Sequence, residues 1–203
     1  MVAKMLTVYT IGHSTRTWKD FLELLRAHGI ERVVDVRSIP RSRHNPQYNR
    51  ETIAVKLHGA RIGYVHMRTL GGLRHTRRDS PNMGWRNASF RGYADYMQTP
   101  EFEEGLQRLI KLAKQKRSAI LCAEAVPWRC HRSLIADALT VRGIRAAHIV
   151  SGKRVQVHTL TSFGRVQGDR IIYPEAAAED AASPHERGTS KVKRVVREGQ
   201  SAR

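Results

Sequence analysis

Acidic residues are scarce in this chain: 18 Asp and Glu stand against 36 Lys and Arg over 203 residues, a formal charge of +18. An imbalance of that size is hard to reconcile with indifference to polyanions, and it predicts a phosphate-containing small molecule or nucleic acid as partner. Cysteine is scarcer still. The two residues are too few for a disulfide framework, so a close Cys pair beside a His reads first as a metal or reactive-thiol site in a reducing compartment. Long apolar runs are missing as well. No stretch approaches the roughly 20 apolar residues that span a bilayer. The opening Met1-Val2-Ala3-Lys4-Met5 also lacks the apolar run of a secretory signal, so the expectation is a soluble cytoplasmic protein with no membrane partner.

What is present is unevenly placed. Residues 174–203 carry six Lys/Arg and five Asp/Glu, so nearly all the excess charge lies on residues 1–173. Between Arg37 and Arg91 twelve Lys/Arg face only Glu51 and Asp79, a net of +10. A solvated basic surface is the plain reading of that stretch, and an anion footprint is the favoured one. The tail from residue 174 has no periodic apolar face and is expected to be disordered. Its Lys191 to Arg197 run reads more readily as a solvated terminus than as a nucleic-acid contact.

Apolar periodicity alternates strand and helix. Met5 to Gly12 is β-branched and aromatic and closes on Gly; Thr17 then caps a helix whose stripe is Trp18, Phe21, Leu22 and Leu25. Strands are expected at Ile30–Val36, Ile62–Met67, Ser118–Cys122 and Ile144–Val150, with a shorter sixth between Arg154 and Leu160. Helices are expected over Thr52–Ala60, from Thr99-Pro100-Glu101 onward, and over Cys130–Arg142, with a return to helix near Tyr93. Leu70 to Arg91 shows no period and reads as a binding loop or lid. The pattern implies a single three-layer α/β domain over residues 1–173, with a mostly parallel sheet of five or six strands and helices on both faces.

Ligands of such a sheet bind beyond the carboxyl ends of its strands. That rule gathers His13 and Ser14, then Asp35, Arg37 and Ser38, then His66, Cys122 with Glu124, and His148 toward one crevice. Each alone has a structural explanation as a cap, an ion pair or a core residue; their joint placement favours a site. Cys130, at the expected start of the last helix beside His131, Arg129 and Arg132, should have a depressed pKa. Cys122, Cys130 and His131, with Glu124 as a further donor, could ligate zinc or iron, although the spacing is not that of a Cys-x-x-Cys knuckle. As a thiolate, Cys130 would need His13, His131 or Glu124 as base or orienting partner. Asp35 and Arg37 offer a carboxylate for proton transfer beside a guanidinium for phosphate. Arg41, Arg91 and the other loop arginines, interleaved with Tyr48, Trp85, Phe90 and Tyr93, suit a backbone-contacting groove, with packing an equal role for the aromatics.

Five blocks in order resemble the prokaryotic family catalogued as domain of unknown function 488. They are Thr10-Ile11-Gly12-His13-Ser14, Asp35-Val36-Arg37-Ser38 with Pro40 and Ser42, Tyr64 and His66 with Leu70-Gly71-Gly72, Phe90-Arg91 with Tyr93, Tyr96 and Met97, and Cys122-Ala123-Glu124 with Cys130-His131-Arg132. The resemblance covers about residues 7–150 and implies a compact α/β domain. In it His13, Asp35, Arg37, Cys122, Glu124, Cys130, His131 and Arg132 would form a metal or catalytic site. The leading expectation is an enzyme acting on a nucleotide or nucleic acid. In that reading Arg37, Arg41 and Arg91 hold phosphate, helped by Ser14, Ser38, Tyr93 and Arg132, while Cys130, His131, Glu124 and Cys122 supply thiolate or metal chemistry, and His13 with Asp35 moves protons. The alternatives are a non-catalytic module that binds nucleic acid or a phosphate ligand by charge, and a cysteine-based redox or metal sensor.

Overall fold

A computed structural model of the chain describes residues 5–175; nearly all of the expected tail, from residue 176 on, lies outside the described residues. Five strands are parallel: β1 (Thr7–Gly12), β2 (Arg32–Asp35), β3 (Gly63–His66), β4 (Ser118–Cys122) and β5 (Arg145–Ile149). A short antiparallel β6 (Val155–Val157) completes the order β3-β2-β4-β1-β5-β6. Helices α1 (Trp18–Ala27), α2 (Arg50–Gly59), α3 (Ala88–Tyr96), α4 (Pro100–Gln115) and α5 (Arg132–Val141) cover both faces. The domain is therefore a single α/β unit of three layers.

The helix boundaries follow from local chemistry. Thr17 Oγ1 accepts from the Asp20 amide while its hydroxyl donates to the Asp20 carboxylate, which closes the first turn of α1. Thr99 caps α4 in the same way, with Pro100 at the first helical position, where its missing N–H costs nothing. Gly29 and Gly143, at φ +60° and +70°, follow the ends of α1 and α5 in the left-handed region that glycine enters most readily.

Strand alternation divides the core in two. Ile11, Val33, Ala119 and Leu121 pack with Phe21 and Leu25 of α1 and Ile53 and Leu57 of α2. Val8, Val34, Val36 and Ile120 pack on the opposite face with α3, α4 and α5 through Tyr93, Phe102, Leu106, Leu134 and Ile135. The chain leaves β1 and β2 toward the α1/α2 face and leaves β4, which lies between them, toward the α5 face. Neighbouring strands that send their chains to opposite faces open a crevice at their carboxyl ends. Here that crevice lies over the end of β4, at Cys122.

Two features were not expected from the pattern. A separate hairpin of β7 (Arg165–Gln167) and β8 (Arg170–Ile172) adds Ile171 to the core beside Tyr173. Its strands are three residues each, too short to show a period. The irregular run before α3 is also anchored: the buried Asp95 carboxylate accepts from the Arg77 amide, the Ser80 hydroxyl and the Asn82 side chain, and Asn82 accepts from the Tyr173 amide.

The ends of β1 and β4 nearly touch, because a Cβ added at Gly12 would lie 1.7 Å from the Glu124 carbonyl oxygen. Backbone stands on both sides of that contact, so no side chain can give way. Gly12→Ala is therefore expected to destabilise the fold by about 3 kcal/mol or more, read as a lowered urea midpoint, whereas Gly143→Ala, with open space around its Cβ but a left-handed backbone, should lose about 1–2 kcal/mol.

Candidate active site

The crevice holds a cavity of about 370 Å³. Cys122, Cys130 and His131 form one wall with Glu124 and Arg129, while Arg37, Ser38, Ile39, Gly72, Leu73, Ser89 and Phe90 form the others. Cys122 shares strand parity with Ile120 and so points to the α5 side. A short 3₁₀ turn at Pro127–Arg129 then folds the chain back and returns Cys130 beside it. Cys130 lies two residues before α5 rather than in its first turn, as the sequence suggested, and its carbonyl accepts from Ser133. Both thiols are free.

His131 Nδ1 stands 3.7 Å from Cys130 Sγ and 3.9 Å from Cys122 Sγ, and the three atoms all lie within 4.8 Å of one another. Its Nε2 is 3.1 Å from the Val36 carbonyl, which can only accept, so Nε2 carries a proton. Tyr93 packs against the imidazole at 5.0 Å between ring centres. Among the described residues this trio is the one group of His, Cys and carboxylate donors spaced to hold a metal ion.

Charge is shared unequally between the sulfurs. The Cys130 thiol is held well below its ordinary range because Cys122 donates to it, with His131 and Arg132 adding to the effect. Cys122 is pushed up by that same hydrogen bond and by burial. Beneath them the buried Arg132 donates from Nε to Cys130 Sγ at 3.4 Å, from Nη1 to Thr10 and from Nη2 to the Glu124 carbonyl at 2.5 Å.

Residues 17–139 match the family model described as Domain of unknown function DUF488. The chain belongs to this family. No curated protein and no solved structure matches it. The matched span contains every cavity-wall residue named above, together with Asp35 and Arg132, but His13 and Ser14 precede it.

The remaining expected site residues separate into layers. Asp35 and His13 share parity with Val33 and Ile11 and so lie on the α1/α2 side, outside the cavity wall. The Arg37 fork, expected for phosphate, is closed on Asp35 at 2.8 and 2.5 Å, and Nη2 also donates to the Tyr48 carbonyl. Asp35 takes a further hydrogen bond from Tyr64, so its carboxylate has four donors counting the Arg37 amide. His13 donates from Nδ1 to the Ser14 carbonyl, accepts from Arg37 at Nε2 and stacks on Tyr48. Burial lowers its pKa to about 4, which keeps the ring neutral. Ser14, at φ 50°, shapes the turn and bonds to Ala123 through its amide.

Arg132 and Tyr93 are buried under the sulfurs rather than exposed to a substrate, and the Tyr93 hydroxyl donates to the Leu70 carbonyl. Arg91 contacts Met83 outside the cavity wall. Trp85 packs with Phe90, Phe163 and Tyr173, so of the interleaved aromatics only Phe90 reaches the cavity. His148 turns into a buried chain running from Thr10 through His158 to Asp137.

A hollow of about 530 Å³ adjoins the cavity, sharing Ser38 and Ile39 with it. Arg41, Arg50 and Arg68 line it with His66 and Glu51, and no carboxylate pairs with the three arginines among the described residues. Arg68 follows His66 at the end of β3, where the strand-end rule already turned it toward the crevice without a phosphate role; Arg50, the first residue of α2, escaped notice because nothing local distinguishes it from the other arginines of the basic stretch.

Two outcomes follow from this layer. Asp35→Asn leaves the buried Arg37 without its counter-charge and should cost about 3 kcal/mol or more in urea unfolding. His13 and His148 both have pKa values lowered from 6.5 to about 4, chiefly by burial, so the unfolded chain binds protons that the folded chain does not. Stability should accordingly be intact at pH 7 and fall as pH drops from 6.5 toward 4, measured as the urea midpoint across that range.

Proposed function

We propose that the protein is an enzyme acting on a nucleotide or nucleic-acid substrate, with its reacting centre at Cys122, Cys130 and His131. The observation that carries this reading is the adjacency of two unlike compartments across Ser38 and Ile39. One is a largely apolar cavity with a sulfur and imidazole floor; the other is a hollow with three unpaired arginines. A nucleotide has the same division. Its base suits the wall of Phe90, Leu73 and Ile39, and its phosphate suits Arg41, Arg50 and Arg68 through charge-assisted hydrogen bonds. Phosphate binding thus falls to Arg41 together with Arg50 and Arg68, while Arg37 braces the cavity wall through Asp35.

The sulfur centre is what separates this reading from a module that binds nucleic acid by charge. Such a module would have no use for two buried thiols beside an imidazole at the base of a cavity, and its affinity would depend on salt and arginine alone.

The test is a screen of mononucleotides and short single-stranded oligonucleotides for product by mass spectrometry. Turnover is expected for at least one of them, abolished in Cys130→Ser, with KM raised about tenfold or more in Arg50→Ala and in Arg68→Ala, the equivalent of roughly 1.4 kcal/mol each. Salt-dependent binding that is indifferent to Cys130→Ser, with no product from any member of the screen, would establish the charge-binding module instead.

A further inference from the structure

We propose that Cys122, Cys130 and His131 form a zinc-binding centre whose fourth coordination position opens into the cavity. The centre stands on its own geometry, and it rests on the proposed function only for what the metal would act upon.

Spacing is the first argument. A tetrahedral zinc ion with sulfur at about 2.3 Å and nitrogen at about 2.0–2.1 Å sets its sulfur and nitrogen ligands roughly 3.5 Å apart and its two sulfurs roughly 3.8 Å apart. The observed separations of 3.7 and 3.9 Å from Nδ1, with all three atoms within 4.8 Å, need only a few tenths of an ångström of closure at the nitrogen edges. The donor set of two sulfurs and one imidazole also suits a borderline-soft divalent cation over magnesium or calcium.

Orientation is the second. His131 Nε2 donates to the Val36 carbonyl, which leaves the Nδ1 lone pair free and aimed between the sulfurs. A backbone carbonyl holding the far nitrogen of a ligating histidine is a common outer contact of metal sites, and Arg132 Nε on Cys130 Sγ holds a sulfur in the same manner.

Space is the third. A Cβ at Gly72 would lie 2.5 Å from His131 Nδ1, so any side chain there would intrude beside the nitrogen that points at the sulfurs. Glycine keeps that approach clear. The three donors come from one side only, and the other side is the cavity, where the exposed Glu124 also stands. Three protein ligands and one open position characterise catalytic rather than structural zinc sites. Glu124, expected as a fourth donor, falls outside the trio and faces the open side.

The test uses the full chain purified under reducing conditions without chelators. Elemental analysis should find about one zinc per chain, as a single three-ligand site requires, falling at least tenfold in Cys122→Ser, Cys130→Ser and His131→Ala. Replacement by cobalt should give the visible bands of a four-coordinate ion with a near-ultraviolet sulfur-to-metal transition, weakened in either cysteine variant. Because these variants risk loss of fold, Cys130→His serves as control: it should keep the metal and lose part of the sulfur transition. Reduced protein that neither retains zinc nor develops a cobalt spectrum overturns the centre, as does a cobalt spectrum indifferent to both cysteine changes. A zinc-loaded protein that converts no nucleotide removes the proposed function and keeps the centre, whereas nucleotide turnover by a protein that neither retains zinc nor develops a cobalt spectrum keeps the function and removes the centre.

Discussion

A guanidinium without a carboxylate lies under the site. Arg132 is the largest fully buried side chain among the described residues, and its donors go to Thr10, to two backbone carbonyls and to Cys130 Sγ. Burying a cation costs several kcal/mol unless an anion accompanies it. Among these acceptors only the sulfur can carry full negative charge, and Arg132 is one of the groups that lower the Cys130 pKa. The same side chain ties β1, through Thr10, to the loop after β4 and to the start of α5. Fold and candidate site therefore meet at one residue, which holds Cys130 Sγ and the backbone after β4 together.

Above that residue the sheet order decides what meets what. β4 is flanked by β2 and β1, whose chains leave to the opposite face, and the crevice opens where its own chain turns toward α5. Strand parity then sorts the polar residues at the strand ends. The sulfurs and His131 belong to the α5 side and reach the cavity; Asp35 and His13 belong to the α1/α2 side and brace it. Arg37 is the link, lining the cavity while its fork is held by Asp35 from below.

Much of this was legible in the residues. Thr17, Thr99 and Pro100 mark helix starts by capping chemistry, and the five parallel strands follow from short β-branched runs bounded by glycine or charge. Cys122, Cys130 and His131 were legible as a group because cysteine is so rare here. The layering was not, since a rule that places residues at strand ends does not say on which face each lies; that takes the register and parity of strands whose ends are uncertain by a residue. Cys130 falls outside α5 because Pro127 starts a separate short turn, which delays the helix by two residues. The burial of Arg132 depends on Thr10, far away in sequence, and no local pattern announces it. The grouping of Arg50 with Arg68 likewise needs the start of α2 to lie beside the end of β3.

In the proposed function the cavity at the end of β4 and the neighbouring arginine hollow together receive one substrate. A crystal structure grown with a nucleoside monophosphate would decide it. Phosphate density is expected among Arg41, Arg50 and Arg68, with the ring against Phe90 and facing the sulfurs of Cys122 and Cys130. Density for the nucleotide elsewhere on the surface, with the cavity and hollow holding only solvent, would contradict it.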